Sequence, residues 1–555
     1  MKRITEQSSG SGGLKKTLMI CLLLLQLPVF VFGQKADTYK VGNSCVSIEP
    51  RNSVFSLALA GYGFPREGRF SISWTEIESL PVGAMEEDRA RWKNTEDFVS
   101  MARHGNRLYA LGKDEILYQG DIVPQGEIAW IKAGYKNGDT YTVDLERIAV
   151  AGDRLYAVGA DKKYYMATHS TQGELSARAI VIQSGKKTVA LVSVDLCGFD
   201  FSFTQEVKKE ISKRTKLPVE AIMINATHTH FAPVPQNYPV WPDFGLYPDP
   251  IYMQKVVKPG IVASVENALK DMKKSTISIG RSQSTIGRHR ALRGDDALYD
   301  PTLDVINFQP VDGQDATTLF IASCHPVFRN EGKERFTISG NFPAVARRVV
   351  ENNSATGNAV FFQGCCADID PLDSDCRNTG TRLGNDVLAT LNLSMEPVSG
   401  SISYVMDSVI LAVSAWSKER VEQFREQNIG SVANNLDAAK NVRWADRVLS
   451  IYEKGTIPKT ASVYVQIINI GNWKLVGLSR EAVTEYSLKI RELWEPDKFV
   501  SVAAYCNDVA SYLPNAAHVR AQNYEGLGSF LWYGHPAFFR EDVLDTVIDH
   551  IKKLK

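Results

Sequence analysis

The chain has 555 residues, with 63 Lys and Arg set against 63 Asp and Glu and an apolar share of 44%. That is the composition of a globular protein, long enough for one large domain or several ordinary ones. The balanced charge gives no footing for a nucleic-acid partner or for steering toward an anionic membrane.

Lys15 and Lys16 precede an apolar run, Leu18 to Phe32, that ends Val31-Phe32-Gly33. The run is short for a spanning helix and ends as signal peptides end. Residues 1–33 are therefore expected to be a signal peptide, cleaved after Gly33, with the mature chain secreted or periplasmic. Cys21 lies inside the run but follows bulky Ile20, which argues against a lipoprotein site; an uncleaved anchor is the alternative. No later segment is long and apolar enough to span a bilayer. Seven cysteines follow, too few and odd in number for a disulfide framework. Cys376 with Cys365 or Cys366 is the local candidate for a bridge.

After a strand at Cys45–Ile48 and a Gly/Pro-rich turn, GYGFPREG, the texture changes. From about residue 70 to 168 short alternating strands and turn residues dominate. GNRLYALGKDEILY from Gly105 and GDRLYAVGADKKYY from Gly152 repeat at an offset of 47 residues. That is the length of a propeller blade, but two copies do not close a propeller. The segment reads as a small all-β insertion.

From Ala177 the pattern becomes α/β. Two strands, an amphipathic helix from Thr204 to Thr215 and a third strand at 221–226 form a βαβ unit. Ligands collect at the carboxyl ends of strands in such sheets. The third strand opens AIMINATHTHFAPVP, residues 221–235. On an extended backbone residues i and i+2 share a side, so His228 and His230 would face one cavity. They are metal ligands or proton carriers on one reading, and hydrogen-bonded strand closers on the other. A helix over Ile251–Lys273 is expected to bend or break at Pro259-Gly260. TLFIASCHPV repeats the opening pattern, a strand whose end carries His325. NAVFFQGCCADIDPL runs a strand into a small-residue loop. Helical regions flank a strand, SISYVMDSVILAV. SVYVQIINIGNWKLVGL reads as a hairpin, Arg480-Glu481 as the start of a helix reaching Leu493, and VSVAAYCND as a strand. A loop with Tyr512, His518 and Tyr524 leads to a last helix, Arg540–Lys553.

Two or three His with one carboxylate is a catalytic zinc inventory with room for a water. Each candidate also has a plain structural reading: His325 as a core histidine, Glu481 as a residue suited to a helix N-terminus, the tyrosines as packing.

ATHTHFAP, YDPTLDVINF, SCHPV, ISGNFPAVARRV, QGCCADIDP, LSREAVTEYS and YCNDVASYLPNAAHVRAQNYEG come in one order between residues 226 and 526. In these blocks the chain resembles the neutral/alkaline non-lysosomal ceramidase family, catalytic domain only. The resemblance implies a mixed-sheet α/β domain over residues 34–555, interrupted by the 70–168 insertion. It implies one Zn²⁺ held by His228, His325, Glu481 and Tyr512. Tyr524 would donate a hydrogen bond to the developing oxyanion, and His230 would face the substrate or support the ligands. The implied activity is hydrolysis of the amide bond of a ceramide-like lipid by a zinc-activated water, with peripheral contact to a membrane. Another amide or ester substrate, or a catalytically inactive zinc-stabilised protein that binds lipid or glycan, are the alternatives. Gly364 stands where the family has a serine. The family's early G-I-H-x-R-Q-x-A-R-A block is reduced to Ala177-Arg178-Ala179, and its C-terminal immunoglobulin-like domain has no counterpart. Attack would then come from the zinc-bound hydroxide, or from Cys365, or not at all.

Overall fold

The computed structural model describes residues 37–50, 57–61, 70–122, 128, 130–135, 143–241, 247–327, 332–353, 355–495 and 498–554. The expected signal peptide, and the Gly/Pro-rich turn beyond Gly61, lie outside them.

Runs of Val, Ile and Ala that are buried on both faces pair into a nine-stranded mixed sheet. Its order in space is Ile222–Ala226, Lys187–Val194, Ser176–Ser184, Tyr39–Ser47, Lys273–Gln283, Thr302–Pro310, Ala316–Ala322 and Thr356–Gln363, with Glu396–Pro397 added beside Lys273–Gln283. The pairings at its two ends are parallel. Each parallel pair is joined by a crossover containing a helix, Phe201–Thr215 at one end and Asn341–Glu351 at the other. A second, five-stranded sheet runs Phe499–Ala503, Trp473–Leu478, Thr460–Ile470, Ile402–Ser414 and Phe538–Phe539. Its first two strands are also parallel, with helix Glu485–Glu492 between them in the chain. Ile180, Leu191, Met223 and Phe308 of the large sheet share a core with Ile468, Trp473 and Leu475 of the small one, so the sheets pack face to face. Helices cover the outer faces, Val207, Ile211, Ile261 and Val265 among their buried residues. This is the mixed-sheet α/β fold class expected from the sequence.

Several boundaries move for local reasons. The first helix starts at Phe201 because Asp200 caps it, accepting from Phe203 N, and it ends where Lys216 turns left-handed. Pro259 does not break its helix. The chain passes through a wide π turn, Met253–Val257, and Pro259 then sits in the first turn of Lys258–Lys270, where its missing N–H matters least. No helix among the described residues is long and apolar enough to cross a membrane.

Between Phe70 and His169 the described residues form two four-stranded sheets and a single 3₁₀ turn at Arg89–Arg91. One is Phe98–His104, Arg107–Gly112, Ile116–Asp121 and Ile131–Tyr135. The other is Leu145–Ala151, Arg154–Gly159 and Tyr164–His169, completed at its edge by the earlier strand Ile72–Ile77. The sequence repeat is thus one hairpin, Arg107–Asp121, copied at Arg154–His169. Ile72, Leu111, Leu117, Ile148 and Leu155 build a common core for both sheets. Arg107 leaves this unit to meet Asp249 of the α/β body, Nη1 to Oδ2 at 2.7 Å.

All seven cysteines in the described residues are free thiols. The anticipated bridge to Cys376 does not form. Cys376 is packed with Phe342 and Leu383, whereas Cys365 and Cys366 belong to a different apolar cluster.

Candidate metal centre

Five loops that follow parallel strands meet where the two sheets end together. His228 follows Ile222–Ala226, His325 follows Ala316–Ala322, Cys366 follows Thr356–Gln363, Glu481 follows Trp473–Leu478 and Tyr505 follows Phe499–Ala503. Backbone bonds stitch the ends across the sheets: Ala226 N to Tyr505 O at 3.1 Å, and Ala504 N to Gln363 O at 3.0 Å.

His228 has φ +65°, so the backbone turns at the strand end and is not extended there. The i, i+2 argument therefore does not apply. His228 and His230 reach one cavity because of the turn. His228 Nδ1 donates to Cys197 O, and His325 Nδ1 donates to Cys366 O at 2.8 Å. With each Nδ1–H committed to a carbonyl, a neutral ring presents a bare lone pair at Nε2. Those two nitrogens are 3.1 Å apart. Glu481 Oε2 lies 3.0 Å from the first and 3.4 Å from the second. Tyr533 donates to Glu481 Oε1 at 2.5 Å and leaves buried Oε2 without a hydrogen bond.

Three lone pairs this close repel unless a positive charge sits among them. Burial disfavours the charged imidazole of His228, but Glu481 and the Cys197 contacts outweigh it and hold the ring at about 10. Burial also disfavours the Glu481 carboxylate, yet the two histidines keep it well below the usual carboxylate range. Burial lowers His325. A divalent cation fits the same place better, since two imidazoles and a carboxylate are a zinc-type donor set. His228, His325 and Glu481 each bring a donor atom within 4.8 Å of the others. His230 falls in a separate group with His228 and Cys197, its Nε2 3.2 Å from that of His228.

Glu481 is not at a helix start. Glu481–Ala482 is a short strand paired in parallel with Tyr512–Leu513, and the helix begins at Glu485. Arg480 explains the difference: it sits at φ +69° with its guanidinium bound to Ser462 O and Ser511 Oγ, which stops a helix from starting there. This pairing sets Tyr512 beside Glu481. The Tyr512 ring lies nearly parallel to His325, centroids 6.5 Å apart, and its hydroxyl accepts from Arg290 Nη2 at 3.1 Å. Burial, then the Glu481 charge, pushes the Tyr512 phenol well up. Tyr524 stands edge-on to Tyr512 with centroids 5.5 Å apart and is 37% exposed.

His228, His230, Glu481, Tyr512 and Tyr524 line a cavity of about 40 Å³ with an aromatic wall of Tyr238, Trp241, Trp532 and Tyr533. Sequence reasoning missed Tyr533, Arg290 and Gly61. Gly61 has φ +97°, and a Cβ there would lie 2.5 Å from the His230 ring. Arg290 comes from the basic turn GRHRALRG and also bonds Glu525 and Asp370, at 2.8 and 3.0 Å. A Cβ on Gly364 would lie 2.3 Å from Ser323 Oγ, so no side chain fits there unless Ser323 moves. Cys365 and Cys366 are fully buried, and burial pushes both thiols well up, away from the thiolate a nucleophile needs.

No protein-family model matches the chain, and no curated protein matches it in sequence. Solved structures do. The chain is similar to a neutral ceramidase from Pseudomonas aeruginosa, with a TM-score of 0.56 at 14% identity, over 93% of this chain and 73% of that one. It is similar also to a ceramidase complexed with C2, with a TM-score of 0.57 at 13% identity, over 93% and 74% of the two chains. The fold of this protein is therefore the fold of solved neutral ceramidases.

Proposed function

We propose that this protein is a secreted, zinc-dependent hydrolase of an N-acyl amide bond in a ceramide-like substrate. One observation carries the reading: two histidine nitrogens and a carboxylate oxygen, all buried, converge with their other atoms already committed to the protein. The ion would be held by His228, His325, Glu481 and, as the resemblance suggests, Tyr512. When bound it would supply a Lewis acid that polarises the carbonyl and acidifies a water. The remaining work falls to the chain. Cys197 O and Cys366 O keep the imidazoles in the ligating tautomer. Tyr533 aims Glu481. Tyr524, partly exposed beside Tyr512, donates to the developing oxyanion. His230 faces the bound substrate. The aromatic wall holds the apolar part of the substrate and excludes water. Residues 70–168 act as a rim that tunes substrate range, reached through Leu57–Gly61, whose Gly61 lines the cavity.

The small volume of the cavity, together with Gly364, favours a second reading: a compact amide or ester in place of a long-chain lipid.

The test is turnover of a fluorescent short-chain ceramide and of a panel of small amides and esters, with and without chelator. The reading expects metal-dependent cleavage, lowered roughly ten- to a thousandfold in Tyr524→Phe, the range for one oxyanion donor. Stoichiometric zinc retained in His325→Ala, or turnover unchanged by full metal removal, would overturn it.

A further inference from the structure

Beyond Arg290 lies a second buried cluster, formed by the histidine just before it and by two loops already met. His289, Asp368 and His518 each bring one donor atom within 4.8 Å of the others. Their side chains are 5%, 3% and 0% exposed.

We propose that His289, Asp368 and His518 bind a second divalent cation of the zinc type, and that this ion braces the segment carrying Tyr512 and Tyr524. His289 Nδ1 donates to Leu298 O at 2.9 Å, so its Nε2 is a bare lone pair in the neutral ring, and that nitrogen is buried without a partner. Asp368 Oδ1 accepts from Thr484 N and Oγ1, at 2.9 and 3.0 Å. Its Oδ2 lies 3.5 Å from His289 Nδ1 and 3.5 Å from His518 Nε2. His518 Nε2 is also buried and unpartnered.

The side chain that would set the His518 tautomer is at hand. Glu525 Oε1 accepts from Arg290 Nε at 2.8 Å, while buried Oε2 has no hydrogen bond and lies 3.7 Å from His518 Nδ1. At present Asn523 Nδ2 approaches Nδ1 at 2.9 Å. A small turn of the ring gives its Nδ1–H to Glu525 and frees Nε2 for the ion, the carboxylate–histidine–metal arrangement common in zinc sites. Three buried polar atoms with no partner, His289 Nε2, His518 Nε2 and Glu525 Oε2, are costly in a packed interior. Two imidazoles and a carboxylate select a borderline transition ion over Mg²⁺ or Ca²⁺.

The placement gives the ion a structural role. His518 lies in helix Ala516–Ala521, between Tyr512 and Tyr524. Asp368 is two residues past Cys366, whose carbonyl orients His325, and Thr484 is three past Glu481. Binding there ties three loops of the first centre together from behind.

The experiment is metal analysis and Co²⁺ titration of the full chain after chelation and dialysis, independent of any turnover. Two equivalents are expected, with one lost in His289→Gln and in His518→Ala, the other lost in His325→Ala, and circular dichroism unchanged. Hydrogen exchange over residues 512–525 should quicken several-fold in His289→Gln. If His518→Ala does not fold, His289→Gln decides. A single equivalent lost only in His325→Ala, or two equivalents kept in His289→Gln, overturns the proposal and leaves the cluster to water.

Discussion

The repeated turns of the β unit between Phe70 and His169 and the centre of the α/β body satisfy their polar groups over different ranges. In those turns partners are near in sequence. Asp114 accepts from Ile116 N at 3.2 Å and from Tyr118 OH at 2.7 Å. Asp161, in the second copy, accepts from Lys163 N at 3.1 Å and Tyr165 OH at 2.6 Å. Gly112 and Gly159 leave room for these carboxylates, since a Cβ on either would lie 2.1 or 2.4 Å from the Asp oxygen. In the body partners are far apart: Asp195 with Arg347, Asp368 with Thr484, Arg290 with Tyr512. A local device can be duplicated with the chain that carries it. A long-range one depends on the whole fold, and in the body buried atoms such as Glu481 Oε2 and His518 Nε2 have no hydrogen bond.

The largest effect should come from the longest-range pair. Arg347 Nη1 and Nη2 each reach Asp195 at 2.8 Å, and both side chains are buried. Arg347→Met strands the Asp195 charge, although Ser176 still donates to it. A loss of about 3–5 kcal/mol is expected in urea denaturation. A loss under about 1 kcal/mol would mean the body does not rest on such pairs.

Lys208 sharpens the same point with opposite sign. It is buried in helix Phe201–Thr215, its Nζ donating to Met406 Sδ at 3.7 Å. Burial lowers its pKa to about 7. The unfolded chain, with an ordinary lysine value of about 10.4, therefore holds a proton that the folded chain lacks between about pH 7 and 10. Stability should rise with pH across that window, by up to about 1.4 kcal/mol per unit, and the gain is lost as pH falls from about 10 to 7, below which the slope vanishes. Lys208→Met should remove the slope and stabilise the protein by about 3 kcal/mol near neutrality, a volume-conserving change. Equal slopes in the two proteins would refute this.

Where the two regions meet, Arg107 bonds Asp121 at 2.9 Å within the β unit and Asp249 at 2.7 Å in the body. Asp249 keeps its capping bonds to Ile251 N and Tyr252 N when Arg107 is lost. Arg107→Leu should therefore cost less than the Arg347 change, about 1.5–3 kcal/mol, the range for hydrogen bonds to charged groups. Limited proteolysis should then cut the β unit before the body; the reverse order would show that the pair does not join them.

What the sequence revealed follows the same division. The β texture and the offset of 47 residues are local patterns, and the two matching hairpins are their direct outcome. In the body, strand ends marked by His228 and His325 are legible because an apolar run stops at a polar residue. Glu481 was misplaced on a helix, because the left-handed turn at Arg480 is set by Ser462 and Ser511, neither of them its neighbour in sequence. Tyr533, Gly61 and Arg290 carry no local sign of where they go. Spacing alone suggests a bridge to Cys376, but packing places the thiols in different clusters.

The smallest effect is expected in the repeated turn, and it tests the repeat itself. Tyr118 and Tyr165 hold equivalent places, each closing a turn onto the Asp four residues before it. In each case the phenol is raised, by burial first for Tyr118 and by the bond to Asp161 first for Tyr165. The bond at Tyr118 is exposed and that at Tyr165 only part-buried, so water replaces much of what is lost, and Tyr118→Phe and Tyr165→Phe should each lower the melting midpoint by only about 1–3 °C. The turns share no partner, so the double variant should show the sum of the two shifts. Unequal shifts in the single variants would mean that the copies have diverged in role. A double loss well beyond the sum would mean that the two hairpins are coupled through the common core of Leu111, Leu117, Ile148 and Leu155 and are not two independent uses of one device.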